Sequence, residues 1–425
     1  MLAPASGHYQ RLVAVFASAV ERAGYGLIIS PMFEDIAVFA RVGESTDVVR
    51  KEMYDFFDRS TPPNHLALRP EGTASVVRAF AQHRPALPFK AWYVGPSFRY
   101  EAPQAGRYRQ HHQLGVEALG TEDPDLDVEV IALLAAYYCS LGLRRVTLRL
   151  NSLGDAVCRP AYRAELGAFL AARADALCDE HRVRYTDNPL RVLDCKKPPC
   201  VAATVDAPFQ IDRLCEPCAA HIARVGEGLD ALGVTFSVDR RLVRGLDYYT
   251  RTTFEFAAEA LGSAQDAVGG GGRYGGLVEE MGGPPTPGVG FGCGIERVLL
   301  ACDAEGVDLR GPAGVEVFVV DTTGGAAARD LTHELRLRGI GSDRAWDQRS
   351  FKAQFKAADR SGARLALVVG PDEAERGAVA LKPLRGGGEQ REVARSEVVD
   401  EVETVLDVQA MTVQAMTVQA TGVQR

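Results

Sequence analysis

The sequence predicts an α+β protein, in which a first domain built on an antiparallel sheet with packed helices precedes a smaller α/β domain. In the first part, strand-like segments follow one another with too few intervening residues for crossover helices, which favours antiparallel pairing. Near the end, strand-like and helix-like segments alternate, which is typical of a mostly parallel sheet. We predict domains at 1–312 and 313–407 and a disordered repeat tail at 408–425.

The first domain begins with an amphipathic helix, because apolar residues recur at helical spacing before Gly24. Segments rich in aromatic and β-branched residues then predict four strands: YGLIISPMFE, HLALRP, KAWYVGPSFRY and RQHHQLGVEALG. A helix over DPDLDVEVIALLAAYYCSLGL and a strand over RRVTLRLNSLG come next. From 154 to about 232 the Ala-rich pattern and clustered cysteines indicate an inserted helical subdomain.

Strand-like sequence resumes at RRLVRGLDYYTRTTFEF, and the glycine-rich strand GVGFGCG runs into a helix, IERVLL. In the second domain, strands VEVFVVD, IGSDRAW and RLALVVG are separated by helices, one ending at Arg338 and one over FKAQFKAADR. The tail repeats VQAMT with a period of five residues, which matches neither a helix nor a strand.

The composition is that of a globular protein with room for two or three domains: 425 residues, 46% apolar and 24% charged. The sequence contains no run of about 18 uncharged apolar residues and no export signal at its start, so we expect a cytoplasmic protein without a membrane span. Nine cysteines, an odd number, favour reduced thiols. Because the net charge is −8, binding to nucleic acid would require local basic patches.

The motif RPEGT ends a predicted strand. Glu71 could hold an ammonium group there, and Gly72 permits close approach of the backbone. A simple strand end followed by a turn explains the motif equally well.

The hairpin GPSFRYEAPQAGRYRQHHQLGVEALG is more specific. Arg99 on one strand and Arg107 in the loop could clamp phosphates, because guanidinium groups match phosphate oxygens. A charged, exposed hairpin would explain the arginines but not Gln113 and Glu117, which lie four residues apart and therefore share one sheet face. The same alternation places three basic residues on that face: Arg107, Arg109 and His111.

Three later segments could also contribute to a site. Tyr248 and Tyr249 stand at the head of a strand and should point to opposite faces, one lining a pocket and one packing in the core. The segment GGGGRYGGL would admit a small substrate closely, although a flexible loop gives the same pattern. Glu296 and Arg297 lie in the first turns of a helix, where Arg297 could reach the phosphates of a nucleotide and stack on its base.

Taken in order, RPEGT, FRYE with its loop, RGLDYY and GFGCGIER, followed by an α/β domain, resemble the class II aminoacyl-tRNA synthetases of the histidine type. The resemblance covers about residues 8–407, and RGLDYY and GRYRQHHQLG are its histidine-specific pieces. It implies a ligase of protein biosynthesis that activates L-histidine with ATP and transfers it to the 3′ end of tRNA(His), releasing AMP and diphosphate.

The resemblance also implies roles for individual residues. Arg99 and Arg244 would act at the α-phosphate, with Arg244 as a fixed cation, and Mg²⁺ is expected on the outer phosphates. The implied ATP ligands are Arg99, Glu101, Arg107 and Arg297. The implied histidine ligands are Glu71, Gly72, Thr73, Gln113, Glu117, Tyr248 and Tyr249. Glu117 and Tyr249 could satisfy the one donor and one acceptor of a neutral imidazole.

The second domain resembles the anticodon-binding domain of this synthetase group. Between Ala326 and Ala366 it carries nine basic and five acidic residues, a local excess suited to a phosphate-tracking surface, although solvated helix faces would look the same. Gln104 and Arg109 are candidates for contacting the acceptor end of the tRNA. Family members are homodimers, which implies that Pro31 and its strand lie at a subunit interface.

The insertion carries two cysteine pairs, Cys195 and Cys200 in CKKPPC and Cys215 and Cys218 in CEPC. Together they could hold a structural zinc ion tetrahedrally. The first pair is more widely spaced than a usual zinc knuckle, and the family does not require zinc, so small buried thiols are the alternative.

Two other functions fit parts of the pattern. A synthetase-like regulatory subunit of histidine biosynthesis would keep the histidine pocket but lose catalysis, which the retention of Arg99, Arg244 and Arg297 opposes. A nonenzymatic RNA-binding protein on the same fold would not need Glu117 and Tyr249. Known members carry a short Arg-Gly segment before the first helix, so either the start is misassigned or one edge element is missing.

Overall fold

The computed structural model describes residues 1–41, 51–101, 104–243, 248–262, 266–309, 314–385 and 387–407. The chain divides into two compact units, Met1–Leu309 and Arg310–Arg425. Three predictions lie outside the described residues: the catalytic role of Arg244, the domain boundary between 312 and 313, and the disordered tail at 408–425.

The first unit contains both helices and strands. Its described helices are α1 Ala5–Arg22, α2 Ile36–Ala40, α3 Thr73–His83, α4 Pro124–Leu141, α5 Arg159–Ala171, α6 Asp179–Arg184, α7 Leu190–Asp194, α8 Pro198–Ala203, α9 Glu216–Ala231, α10 Leu277–Glu280 and α11 Ile295–Glu305. Its described strands are β1 Gly26–Leu27, β2 Phe33–Asp35, β3 Asp55–Phe57, β4 His65–Leu68, β5 Phe89–Phe98, β6 Gln110–Leu119, β7 Val146–Ser152, β8 Phe236–Val238, β9 Tyr249–Ala258, β10 Ala267–Tyr274 and β11 Gly288–Gly294.

The main sheet of this unit has the order β1-β5-β6-β11-β10-β9-β7-β8. Its six inner strands pair antiparallel, as predicted, whereas the edge pairs β1–β5 and β7–β8 are parallel. The chain reaches β8 from β7 through α5 to α9, a connection long enough for a parallel crossover.

The prediction of one strand over YGLIISPMFE is wrong, because the segment divides into β1 and β2. These strands belong to different sheets, since β2 pairs with β4 in a small sheet of order β2-β4-β3. Pro31 lies between β1 and β2 and has no N–H group to donate to a strand partner. The GGGG segment, for which a loop was an alternative, forms the central strand β10.

The largest core lies between one face of the sheet and helices α1, α4, α9 and α11. Phe16 of α1 packs there against Trp92 of β5 and Phe291 of β11, with ring centroids 6.0 Å apart in both cases. Leu114 and Val116 point into this core, so Gln113 and Glu117 lie on the other face of β6, as strand alternation predicts.

A buried ion pair ties α4 to β10. Arg273 donates to the carboxylate of Asp127 through Nε, at 3.0 Å, and through a terminal nitrogen, while His221 of α9 lies 3.4 Å from the same carboxylate. Although burial alone would raise it, the pKa of Asp127 is lowered by His221 and Arg273. The helical layer and the sheet are thus joined by charge as well as by apolar packing.

The second unit carries a five-stranded sheet of order β13-β12-β14-β15-β16. Its described elements are β12 Val317–Asp321, α12 Ala326–Leu337, β13 Ser342–Arg344, α13 Phe351–Ser361, β14 Leu365–Val369, α14 Pro371–Glu375, β15 Ala378–Pro383, β16 Arg391–Ala394 and a helix over 398–407. The predicted strands and helices are present. The expectation of a mostly parallel sheet is corrected, because β15 and β16, which were not predicted, pair antiparallel.

Candidate active site

A cavity of about 330 Å³ lies on the face of the sheet that carries Gln113. Its walls come from the β5–β6 hairpin, from β6 and β9 to β11, from the start of α11 and from the insertion. The cavity brings together five of the predicted ligands: Arg99, Glu101, Arg107, Gln113 and Arg297.

Three arginines give this cavity its cationic character. Nε of Arg99 donates to the Pro70 carbonyl at 2.9 Å, which directs the guanidinium group. Arg107 lies 3.6 Å from Glu101, and its side chain is about half exposed. Burial and the neighbouring Arg107 lower the pKa of Arg297, whose buried Nε has no partner among the described residues. Such a set of guanidinium groups suits a polyphosphate.

The hairpin and α11 are held together next to the cavity. Gly106 has a φ of +70°, and a Cβ at this position would lie 2.7 Å from Leu300 of α11. Glu296 accepts a hydrogen bond from the backbone N–H of His112 at 3.0 Å, and its carboxylate lies 2.7 Å from Nδ1 of the His112 ring.

The neighbouring residue, His111, lines the cavity itself. Burial and Arg99 lower the pKa of His111 to about 4, so its ring is neutral near pH 7.

Glu117 lies deeper, four residues farther along the same face of β6 as Gln113. Its side chain is fully buried; Oε1 accepts from the Thr73 hydroxyl at 2.6 Å and Oε2 from the Tyr274 hydroxyl at 2.7 Å. Burial raises the pKa of Glu117 to about 8, and the nearby Glu71 adds to the rise. The carboxylate is thus oriented by two donors but has no cationic partner among the described residues.

Glu71 caps the N-terminus of α3, just after the RPEGT turn begins. One of its oxygens accepts from the backbone N–H of Thr73 at 2.6 Å and the other from that of Ala74 at 2.7 Å. Burial raises the pKa of Glu71, while these hydrogen bonds and Arg99 oppose the rise. Gln113 is oriented by Ser97, whose hydroxyl donates to its Oε1 at 3.2 Å.

The tyrosines do not lie as predicted. Tyr248 and Tyr249 pack against each other with ring centroids 4.6 Å apart, and Tyr248 also meets Tyr274 at 5.6 Å. The prediction that the two tyrosine rings point to opposite faces is wrong. Strand β9 begins only at Tyr249, so strand alternation does not reach Tyr248. The buried hydroxyl of Tyr248 has no hydrogen-bond partner in the described part of the chain.

Sequence reasoning missed Tyr93 and Tyr274. A Cβ at Gly72 or at Gly115 would lie 2.3 Å from the ring of Tyr93, so the ring passes between these two glycines. Gly72 therefore makes room for Tyr93, a packing role that the sequence did not indicate. Reading GGGGRY as a strand would have drawn attention to Tyr274 at its end.

The two residues predicted to contact tRNA lie outside the cavity lining. The guanidinium carbon of Arg109 lies 4.4 Å from the centroid of the exposed Tyr100 ring. Because β6 begins at Gln110, the predicted alternation does not extend to Arg107 and Arg109. Gln104 forms an isolated backbone bridge with Arg107.

The structure does not bring the four predicted zinc cysteines together. All nine cysteines are free thiols. Eight residues with metal-binding side chains form two groups of four, and within each group the donor atoms lie within 4.8 Å of one another. Cys195 and Cys200 join Cys178 and His181, whereas Cys215 and Cys218 join Asp155 and Cys158. The spacing CDEH at 178–181 is the signal that could have revealed the first group.

An antiparallel sheet with an arginine-bearing hairpin, and a glycine-rich strand that runs into an arginine-bearing helix, are features of the class II aminoacyl-tRNA synthetases. Residues 1–298 match the family model described as histidyl-tRNA synthetase, and residues 315–404 match the anticodon binding domain. The chain belongs to the histidyl-tRNA synthetase family. The resemblance and the fold class inferred from the sequence are confirmed.

Individual relatives agree with the family match. The chain is 51% identical over 395 residues to the histidine–tRNA ligase of Rhodococcus erythropolis, with 92% of each chain covered. It is 47% identical over 386 residues to that of Pelotomaculum thermopropionicum, covering 89% of this chain and 90% of the relative. The apo S. aureus histidyl-tRNA synthetase structure matches with a TM-score of 0.78 at 34% identity, covering 94% of this chain and 97% of that one.

Among the described helices, none combines the length and apolar character that a membrane-spanning segment needs.

Proposed function

We propose that this chain activates L-histidine with ATP to histidyl-adenylate and transfers the histidyl group to the 3′ end of tRNA(His), releasing diphosphate and AMP. The observation that carries the proposal is the buried Glu117 carboxyl group, on the same strand face as the arginine-lined cavity. The lone pairs of a carboxyl group so placed can accept the imidazole N–H of histidine, and the arginines can bind the phosphates of ATP. Membership of the family supports the same reaction.

Glu117 and the tyrosines would recognise the imidazole. Because the Thr73 and Tyr274 hydroxyls are each hydrogen-bonded to one oxygen of Glu117, its carboxyl group has a fixed orientation and keeps lone pairs for a ligand N–H. The Tyr249 hydroxyl would meet the other ring nitrogen, with Tyr248 packed beside it. An amino acid that lacks either nitrogen would leave a buried polar group unpaired, which disfavours its binding.

The α-amino end of histidine would lie near Glu71, Thr73 and Gln113. Glu71 is buried, and a ligand ammonium group would compensate the burial of its charge. Ser97 occupies Oε1 of Gln113, which leaves the amide N–H groups of Gln113 as donors to the ligand. Gly72 contributes by making room for Tyr93 beneath this part of the site.

Activation is an in-line attack of the histidine carboxylate on the α-phosphorus with departure of diphosphate. It requires positioning and neutralisation of developing charge more than acid–base chemistry. We assign Arg99 and Arg244 to the α-phosphate, Arg107 and Arg297 to the outer phosphates, and Glu101 to the amino group of adenine.

The cavity also fits a magnesium ion. Glu101 and Glu255 both line it, and carboxylate oxygens are the ligands that Mg²⁺ takes from proteins. When bound, Mg²⁺ would neutralise part of the charge on the outer phosphates.

The second unit would bind the anticodon, with a domain boundary near 312. Near α13, Arg349, Lys352, Lys356 and Arg360 form no ion pair with any acidic residue that the structure describes there. Two exposed aromatic side chains, Trp346 and Phe351, accompany them. Basic groups interleaved with exposed rings suit contacts with phosphates and unstacked bases.

A homodimer is part of the proposal, as is a cytoplasmic location, where tRNA charging serves protein synthesis. Large apolar side chains are exposed on both sides of Pro31 and on β3: Leu27, Ile29, Met32, Phe33, Phe56 and Phe57. An apolar surface of this kind is typical of a subunit interface. Gln104 and Arg109, on the hairpin, would contact the acceptor end of the tRNA.

The decisive experiment is amino-acid-dependent exchange of diphosphate into ATP, with each standard amino acid in turn. We expect exchange with histidine alone and its loss in Arg244→Ala. Arg109→Ala serves as the matched arginine control: it should retain exchange but charge tRNA more slowly. If the folded wild-type chain bound histidine and showed no exchange, the regulatory function would replace this proposal.

A further inference from the structure

The helical insertion contains a group of four metal-ligating side chains that the proposed reaction does not use. Cys178 precedes α6, His181 lies in its first turn, Cys195 directly follows α7 and Cys200 lies in α8. Their donor atoms all lie within 4.8 Å of one another. Three short helices that are separate along the chain therefore converge on one point.

The distances within this group approach those of a coordination tetrahedron. Nδ1 of His181 lies 3.2 Å from Sγ of Cys178 and 3.7 Å from Sγ of Cys200. A tetrahedral zinc site, with Zn–S near 2.3 Å and Zn–N near 2.0 Å, separates its ligand atoms by roughly 3.5–3.8 Å. An ion could therefore be accommodated with only small side-chain movements.

The second group, Asp155 with Cys158, Cys215 and Cys218, is a weaker metal site. Structural zinc sites are usually built from four cysteines, or from cysteines with histidine, and the first group has the second composition. Asp155 is already engaged, because its carboxylate accepts from the backbone N–H of Val157 at 3.0 Å and lies 3.7 Å from Arg251. The second group thus offers control positions in the same subdomain.

The part of the insertion around the first group is built from short helices. Helices α6, α7 and α8 contain only six, five and six residues, too few for stable helices by themselves. They share a small apolar core that includes Leu177, Val192 and Leu193. Binding of a metal by ligands from all three helices would contribute directly to the folding free energy of this subdomain.

The position of Cys195 connects this group to the active site. Leu193, Asp194, Cys195 and Lys196 line a cavity of about 440 Å³. Arg297 also lines it, as does Arg107, and both arginines belong to the cavity described above as well. The segment from α7 to α8 therefore forms a wall close to the groups assigned to the outer phosphates of ATP.

We propose that Cys178, His181, Cys195 and Cys200 bind one structural zinc ion, which fixes the α7–α8 wall beside the nucleotide cavity. Zinc binding itself is independent of the proposed function, whereas the effect on ATP depends on it. Loss of the ion should raise the KM for ATP severalfold. It should leave the KM for histidine nearly unchanged, because the residues that bind the substrate histidine are anchored on α3, β6 and β9.

The test is the zinc content of the purified full-length chain, measured by mass spectrometry of the metal after exhaustive dialysis. We expect one equivalent in wild type, its loss in Cys195→Ser and in His181→Gln, and its retention in Cys215→Ser, the matched control. A wild-type chain without zinc, or Cys195→Ser and His181→Gln variants that keep as much zinc as wild type, would overturn the proposal.

Cobalt substitution of the wild-type protein keeps the proposal testable if the variants fail to fold. A tetrahedral site with three thiolates and one imidazole should give thiolate-to-cobalt charge-transfer bands and intense d–d bands, and an octahedral cobalt spectrum would contradict it. Because neither metal measurement requires activity, a failure of the zinc site is distinguishable from a failure of the proposed reaction. An unchanged KM for ATP in a zinc-free, folded Cys195→Ser variant would refute the role assigned to the wall.

Discussion

Replacing Glu117 by glutamine should remove a pH-dependent loss of stability from the first unit. Burial raises the pKa of Glu117 to about 8 from its ordinary 4.5. Between about pH 5 and 8 the folded chain therefore holds a proton that the unfolded chain has released. Because the folded state binds more protons in this window, stability is greatest at its acidic end, falls as the pH rises and levels off above the folded pKa.

The size of the effect follows from the proton count. One proton corresponds to about 1.4 kcal/mol per pH unit. Relative to Glu117→Gln, wild type should therefore lose on the order of 1 kcal/mol of unfolding free energy per pH unit between about pH 5 and 8. Glutamine has nearly the same shape and keeps an oxygen that can accept from Thr73 or Tyr274, so the comparison isolates the titration.

The assay is urea unfolding over this pH range, followed by tryptophan fluorescence. The chain has two tryptophans, and a Trp346→Phe background leaves Trp92, buried in the sheet, as the reporter of the first unit. Glu129→Gln is the matched control, because Glu129 pairs with Lys90 away from the site. Identical pH dependence in wild type and Glu117→Gln would refute the reasoning.

Two further substitutions test the site and the core. In Gly290→Ala the new Cβ would lie 2.0 Å from Oε2 of Glu117, so we expect histidine-dependent exchange to fall sharply in a folded protein. Gly7→Ala, with no atom within 4 Å of its Cβ, should leave exchange unchanged, and normal exchange in Gly290→Ala would contradict the assignment. Asp127→Asn should lower the unfolding free energy by about 3–5 kcal/mol in urea, because Arg273 is left buried without its anion, and a loss below about 1 kcal/mol would disprove this.

Strand alternation predicted the site face of β6 because this strand is central and helices cover its other face. Leu114 and Val116 are fully buried in the helical core, which leaves Gln113 and Glu117 for the opposite face. The same rule failed at Arg109, which precedes the strand and stacks on Tyr100 instead. Periodicity is thus informative only where both neighbouring strands are present to hold the pleat.

Cysteine grouping could not be predicted, since spacing along the chain does not say which loops fold together. Cys195 and Cys215 each begin a short cysteine motif, yet the short helices bring Cys195 to Cys178, while Cys215 directly precedes α9 and lies beside Cys158. Sequence motifs identified the subdomain and the ligand type. Only the packing of the insertion assigns the partners.

The alternating glycines of GVGFGCG form the floor of the site, meaning the part of the sheet surface on which the site residues lie. Val289, Phe291 and Cys293 point into the helical core, so the other face of β11 carries no side chains. Cross-strand register then decides what covers that face: Gly290 pairs with Glu117 and Gly288 with Tyr274, the two side chains that are hydrogen-bonded to each other.

The same arrangement recurs one strand away, where Tyr93 of β5 pairs with Gly115 of β6. A large polar side chain thus lies over a glycine directly opposite it, which lets it stay close to the sheet instead of standing upright in the cavity. The glycine pattern therefore predicts where the floor of the site lies. Which residues lie above the floor depends on the cross-strand register, which the sequence does not give. For this reason Tyr93 and Tyr274 were not predicted as site residues.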